Sequence, residues 1–274
     1  MVIPVRDDAR LLARCLRALE QLDLKADEVI VVDNGSPDRS AAVASAAGAR
    51  VVSCAERGIP AASATGYDAA AGDLILRLDA DCVPPRSWTQ DVVAALRCRP
   101  ELDAVTGRAR FLDGPRPLRG IAAGLYLGAY MLATAPALGH RPLFGSNMGF
   151  RAEAWRRVRN EVHRHDAEVH DDLDLAFHLG WDGRIGMLRA APMGISFRPM
   201  RSRHAFARRV RRGMHSVFVH WPKQFPVRRW THRLSRRRGT RRVCTKARIL
   251  RIRAFVIPCA EGDLNPHALA GTGT

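Results

Sequence analysis

Short apolar runs alternate with amphipathic stretches through the first third of the chain. Val2 to Val5 reads as a buried strand, and behind it Leu11, Leu12, Cys15, Leu16 and Leu19 recur at helical spacing, with Asp7 or Asp8 placed to cap that helix. Val29 to Val32 is β-branched at all four positions and too short for a helix. It is bounded by the turn cluster Asp33-Asn34-Gly35-Ser36-Pro37, so it predicts a second buried strand. An alanine-rich helix ending at Gly48, a strand at Val51-Val52, a helix from Ala61 to Ala71 stopped by Gly72, and a strand from Leu74 to Leu78 complete a β-α-β-α-β-α-β order. Past Asp103 the alternation loosens. Ala104 to Phe111 predicts one further strand and Trp181 to Met200 strand-like pieces, followed by a helix through Val219 that Pro222 and Pro226 interrupt. Gly120 to Leu138 predicts an apolar helix, buried or interfacial; its glycines, its proline and its near-minimal length weigh against a bilayer crossing.

This alternation implies a mainly parallel sheet covered by helices on both faces, because parallel strands need crossover connections. Ligands bind such sheets at the carboxyl ends of the strands. Asp33, Asp79 and Asp81 all lie just past predicted strand ends, which puts three carboxylates on one rim.

Composition adds one asymmetry. The 274 residues, 47% hydrophobic, suffice for one main domain, and the formal net charge is +17. That charge is localised: residues 198–253 hold 20 Lys/Arg and no Asp/Glu, which leaves the body mildly acidic. Within the basic part, Arg208-Arg209-x-Arg211-Arg212 and Arg236-Arg237-Arg238 are interleaved with Trp221, Phe225 and Trp230, a pattern that suits an anionic membrane surface. A solvated tail without a partner and, less well supported, a nucleic-acid contact remain alternatives. The six cysteines form no Cys-x-x-Cys pair, which favours free thiols in a reducing compartment, and no charged-then-apolar leader precedes Val2, so a cytoplasmic location is expected.

Three acidic constellations carry candidate chemistry. Asp79-Ala80-Asp81 presents two carboxylates at a strand end, a hard-oxygen pair able to hold a divalent cation against a diphosphate, although a solvated turn has the same string. Asp33, backed by Gly35, can accept hydrogen bonds from a base or ribose, or can belong to a plain Asn-Gly turn. His170-Asp171-Asp172-Leu173-Asp174-Leu175 can offer a general base at a helix start, or simply charge a helix N-terminus.

In this order and spacing the chain resembles the inverting family-two glycosyltransferases. The resemblance rests on Val2-Ile3-Pro4-Val5, Val31-Val32-Asp33-Asn34-Gly35-Ser36, Leu78-Asp79-Ala80-Asp81, Gly145-Ser146-Asn147-Met148-Gly149-Phe150-Arg151 and Asp171-Asp172-Leu173-Asp174-Leu175. It implies an α/β, Rossmann-like, A-type glycosyltransferase fold: a mainly parallel nucleotide-sugar-binding sheet flanked by helices, with a basic C-terminal extension. Residues 1–200 would form the catalytic domain, with 1–111 its nucleotide-sugar-binding half and 112–200 its acceptor side; 201–274 would be the extension, partly disordered. By the same resemblance Pro4, Asp33 and Asp79 meet the donor nucleotide, Asp81 ligates Mn²⁺ or Mg²⁺, Asp172 is the general base, and Gly145, Ser146 and Asn147 fall on the acceptor side. Inversion by single displacement onto a saccharide or lipid-linked acceptor would follow.

Departures from the family pattern sharpen these expectations. Many members carry an Arg-Asn pair where this chain has Ser63-Ala64, which leaves Arg57 or Arg77 to supply a cation near the donor. Little sequence precedes the first strand, so either the true start lies upstream or the sheet edge is weakened there. Asp171 replaces the commoner Glu, and no Gln-x-x-Arg-Trp signature of processive synthases follows Asp174, so single transfer is expected rather than polymerisation. Two competing readings are a sugar-phosphate nucleotidyltransferase, disfavoured because Arg6-Asp7-Asp8-Ala9-Arg10 lacks a glycine, and a decayed transferase that only binds membrane or nucleic acid.

Overall fold

In the computed structural model, residues 1–113, 119–198 and 202–236 are described. Nine strands and eight helices follow in the order β1 (Val2–Val5), α1 (Ala9–Leu19), β2 (Ile30–Asp33), α2 (Ser40–Ala46), β3 (Arg50–Ser53), α3 (Ile59–Ala69), β4 (Leu74–Arg77), α4 (Trp88–Arg97), β5 (Ala104–Thr106), β6 (Ala109–Phe111), α5 (Arg119–Leu138), β7 (Met148–Arg151), α6 (Ala152–Val158), α7 (Asp171–Asp182), β8 (Ile185–Met187), β9 (Met193–Ile195) and α8 (Arg203–Phe218) among the described residues. The main sheet has the strand order β3-β2-β1-β4-β7-β5-β8; β7 runs antiparallel to both neighbours, and the other pairs are parallel.

Both faces of the sheet are buried, as the near-continuous apolar strands require. Ile3, Val5 and Val31 pack on one side with Leu12, Cys15 and Leu16 of α1, while Val2, Ile30 and Val32 pack on the other with Ala61, Ala62 and Tyr67 of α3. The approach of α3 is close enough that a methyl group at Gly66 would lie 2.3 Å from Val2 Cγ1, so only glycine fits there. The strand order grows outward from β1 to β3 and then returns to place β4 on the other side of β1. That reversal makes the carboxyl ends of β1 and β4 the topological switch point. The two strands share a single paired position, Val2 with Arg77, so beyond it they diverge and open a crevice.

Several expectations change. The first strand lies in the interior of the sheet, between β2 and β4, and does not form an edge. Asp8 is the N-cap residue of α1 by position but makes no side-chain cap bond, because its carboxylate is paired with Arg198. The single strand expected over 104–111 is two strands in different sheets: β5 joins the main sheet and β6 pairs with β9. Gly107 divides them, where an added methyl group would meet Asn147 Nδ2 at 2.2 Å. The apolar helix α5 is not buried; of its residues only Ala123, Thr134 and Leu138 are enclosed, whereas Ile121, Leu125 and Leu132 are exposed.

The expected break at residue 200 is also absent. The compact unit runs from Met1 to Leu234. Helix α8 packs on α7, and Pro226, expected to interrupt structure, opens a helical stretch over 226–236 in keeping with proline's tolerance at a helix start. From that stretch Arg229 is buried 3% exposed; its Nε donates to the Leu138 carbonyl at 2.7 Å and its Nη1 to the Phe177 carbonyl at 3.0 Å. It therefore supplies a donor to a carbonyl at the end of α5, where the helix leaves its last carbonyls without an intrahelical partner, and adds a second bond to a carbonyl within α7. Arg237, Arg238, Cys244, Cys259 and the expected partial disorder fall outside the described residues.

Candidate active site

The crevice at the switch point is a cavity of about 590 Å³. Of the residues singled out by sequence, Pro4, Arg57, Asp79, Asp81, Ser146 and Asp172 line it; Asp33, Gly145 and Asn147 do not. Asp33 is turned into its own loop, where Oδ1 accepts the Ser36 N–H at 3.1 Å. The neighbouring Asn34 faces the cavity, braced by its Nδ2 donating to the Cys54 and Glu56 carbonyls at 3.1 and 2.6 Å.

At the centre is a buried cation, Arg77, the one charged residue in the apolar run of β4. Its side chain is 3% exposed, with Nη2 at 3.0 Å from Asp79 Oδ1 and 3.1 Å from Asp171 Oδ2. Burial works against the guanidinium charge, but the Asp171 and Asp79 carboxylates outweigh it and hold the group above its ordinary pKa. Asp171 also accepts from Ser63 Oγ at 2.8 Å, so that serine grips the carboxylate next to Asp172.

Asp172, at the first turn of α7, is held differently. Its Oδ2 accepts the Gly145 N–H and its Oδ1 the Leu173 N–H, both at 2.8 Å. Only a glycine permits this at position 145: a Cβ there would lie 1.9 Å from Arg77 Nη1. The next two residues also support the site. Ser146 Oγ donates to Asp79 Oδ2, and Asn147, 1% exposed, accepts from Trp88 Nε1 at 2.8 Å and donates to the Arg108 carbonyl at 2.9 Å. Asn147 thus belongs to the interior, which removes it from the acceptor contacts expected of it.

Asp81 faces a cation that sequence reasoning missed. Arg198 Nη2 lies 3.2 Å from Asp81 Oδ2 and 2.6 Å from Asp8 Oδ2, so one guanidinium bridges the two loops. Burial, then the charge of Asp79, raises the Asp81 carboxyl above the usual range, and Arg198 opposes that rise. Two crowded carboxylates attract positive charge, and their oxygens lie within 4.8 Å of each other and of Cys82 Sγ. Burial pushes the Cys82 thiol well up, so the donor set is two hard oxygens, which suits Mn²⁺ or Mg²⁺.

The basic segment contributes a wall. Arg208, Arg209 and Arg212 of α8 line the cavity, opposite the acidic loops. No spacing rule marked Arg198 or these three as site residues, since they sit in a stretch where nearly every position could be arginine.

Comparisons with known proteins bear on the family and the fold. The family description "Glycosyl transferase family 2" matches residues 1–158. Glycosyltransferase AglE of Haloferax volcanii is 29% identical over 134 residues, 46% of this chain and 43% of that protein. A TPR repeat-containing protein of Synechococcus elongatus is 45% identical over 78 residues, 28% of this chain and 19% of that one. The chain therefore spans less than half the length of either curated relative. Among solved structures, the mannosyltransferase PcManGT of Pyrobaculum calidifontis, in complex with GDP-Man and Mn²⁺, superposes with a TM-score of 0.60 at 22% identity over 80% of this chain and 62% of that one. The glucosyl-3-phosphoglycerate synthase of Mycobacterium tuberculosis, in complex with Mn²⁺ and UDP-Glc, gives 0.54 at 20% identity over 79% and 77% of the two chains. These structures share the A-type fold. With more than half of its length matched and the sheet, switch point and acidic rim all in place, the chain belongs to glycosyl transferase family 2.

Proposed function

We propose that this protein transfers a sugar from a nucleotide-sugar donor to an acceptor hydroxyl by a single inverting displacement, with Asp172 as general base. One observation carries the reading: Asp172 and the Asp79/Asp81 pair face a common cavity, and the base is fixed there by two backbone N–H groups. Each Asp172 oxygen accepts one such bond, which leaves lone pairs on both for the acceptor's proton. Asp171, tied to Arg77 and Ser63, is a positioning residue. Pro4, Asn34 and Arg57 stand on the donor side and Ser146 near the acceptor. Asp79 and Asp81 would hold Mn²⁺ or Mg²⁺, which would supply positive charge toward a departing nucleoside diphosphate. The relatives solved with GDP-Man or UDP-Glc and Mn²⁺ support that cofactor.

The acceptor, a saccharide or a lipid-linked one, meets the enzyme at the cytoplasmic face of an anionic membrane in this reading. Support comes from α8, where Phe206, Val210, Met214 and Phe218 recur every fourth residue and are all exposed, and from the exposed apolar side chains of α5. Arg209 stacks 6.0 Å over Tyr126, so these two helices are neighbours, and the cationic residues around them complement acidic headgroups.

A screen of UDP-, GDP- and dTDP-sugars with and without Mn²⁺, followed by nucleotide release, tests the activity. Binding without turnover on any saccharide or lipid-linked acceptor would instead support a decayed transferase. Co-sedimentation with anionic and neutral vesicles tests the membrane reading, and equal binding to both would reject it.

A further inference from the structure

Away from the cavity lining, three imidazoles and a carboxylate converge on one point. His163 follows α6, Asp174 and His178 stand one turn apart on α7, and His220 lies just beyond α8. His163 Nδ1 is 2.7 Å, His220 Nε2 3.1 Å and His178 Nε2 3.5 Å from the same oxygen, Asp174 Oδ1, and the His178 and His220 Nε2 atoms are 3.4 Å apart. Four nitrogen and oxygen donors around a tetrahedral Zn²⁺ at ordinary bond lengths stand about 3.3 Å from one another. The protein has the donors near that spacing already.

Proton positions give a second argument. The Ser216 carbonyl can only accept, so His220 Nδ1, 2.7 Å away, carries its hydrogen there. In the neutral ring, Nε2 then turns a lone pair toward Asp174 Oδ1, itself an acceptor, and toward His178 Nε2. Two lone pairs facing each other at 3.1 Å in an enclosed site repel; a cation between them removes the conflict. The His220 bond to the Ser216 carbonyl is the outer contact of a metal-binding histidine. Asp174 Oδ2 accepts the backbone N–H of His163 at 2.9 Å, which leaves Oδ1 for the centre, and Glu161 stands 3.4 Å from His178 Nδ1.

We propose that His163, Asp174, His178 and His220 form a structural Zn²⁺ site, separate from the Asp79/Asp81 pair. Four protein ligands close the coordination shell and leave no position for substrate, in contrast to a catalytic zinc. The site joins three distant parts of the chain, and it fastens the segment after α8 to the helix that begins with Asp171 and Asp172. The chemistry favours a borderline metal on imidazole and carboxylate, unlike the all-oxygen pair of the cavity.

The test is metal analysis of the full-length, untagged protein after dialysis against a weak chelator, followed by Co²⁺ replacement. About one Zn²⁺ per chain and the visible absorption of four-coordinate Co²⁺ are expected. His163→Gln, with a partly exposed ring, and His220→Gln should each lose most of the bound zinc while circular dichroism shows a folded chain; Asp81→Asn should keep it. If the variants misfold, the Co²⁺ spectrum of the wild type decides. Zinc below about a tenth per chain with no four-coordinate Co²⁺ spectrum, or zinc lost only in Asp81→Asn, would overturn the proposal.

Discussion

Replacing Arg77 by methionine removes the cation on which two carboxylates of the site depend. The guanidinium is enclosed and lies within 3.1 Å of both Asp79 and Asp171. Breaking a buried pair by deleting one partner typically costs about 3–5 kcal/mol, because the other charge stays buried and uncompensated. Asp79, a third exposed, can be rehydrated; Asp171, with 12% of its side chain exposed, cannot, so most of the loss is assigned to Asp171. Its carboxyl is already raised by burial, and without Arg77 it rises further. The sign follows from proton counts. Between the unfolded value near about 3.9 and the raised folded value, the native state binds more protons than the unfolded one, so stability falls as pH rises through that window. Urea unfolding of Arg77→Met, followed by tryptophan fluorescence at several values between pH 5 and 8, should therefore show the largest deficit at the alkaline end and a partial recovery on acidification. Adding Asp171→Asn should restore most of the stability at pH 7.5. A deficit under about 1 kcal/mol, or a double variant no more stable than the single one, would refute the reasoning.

Asp172→Asn should leave donor binding near normal and lower turnover about a hundredfold or more, the usual effect of a lost general base; full activity would reject the assignment. Arg198→Ala frees Asp81 and Asp8 from a guanidinium that is 45% exposed, and so only modestly effective, so calorimetry should show Mn²⁺ binding tightened about threefold, whereas weakening would mean that Arg198 assists the cation. A chain ending after residue 227 lacks Arg229 and the bonds it donates to Leu138 and Phe177, and should melt far earlier than the full chain, whereas one ending after residue 236 should bind nucleoside diphosphate as the full chain does. Equal melting of the two shortened forms, read by circular dichroism, would contradict the anchoring role of Arg229.

The first four strands and three helices were legible because each apolar run had one reading at its length and each ended in a turn signal. The acidic rim followed from strand direction alone. What lay beyond reach were features set by long-range contacts. The division of 104–111 depends on how closely Asn147 approaches Gly107, and a glycine inside a strand pattern signals only that something unusual happens there. Asn147 shares its neighbours' motif yet points into the core, which the motif does not encode. Arg229 and Arg198 do structural and site work from within a basic stretch whose uniform composition conceals any single position. Arg77 was legible as a candidate cation, and its partners could have been anticipated too: a charge in a strand buried on both faces requires a buried partner. The histidine cluster needed the fold, since its members are spread over nearly 60 residues of sequence.

Helix α8 has two working sides, one lined with phenylalanine, valine and methionine and the other turned to the reaction chamber through Arg208, Arg209 and Arg212. A rod cannot tilt at one side alone. If binding of an anionic ligand to those arginines changes the helix's affinity for a surface, surface contact changes the ligand's affinity by the same factor, by thermodynamic linkage. Vesicle affinity measured with and without nucleoside diphosphate would read that factor directly, and an unchanged affinity would mean that the two sides of the helix act independently.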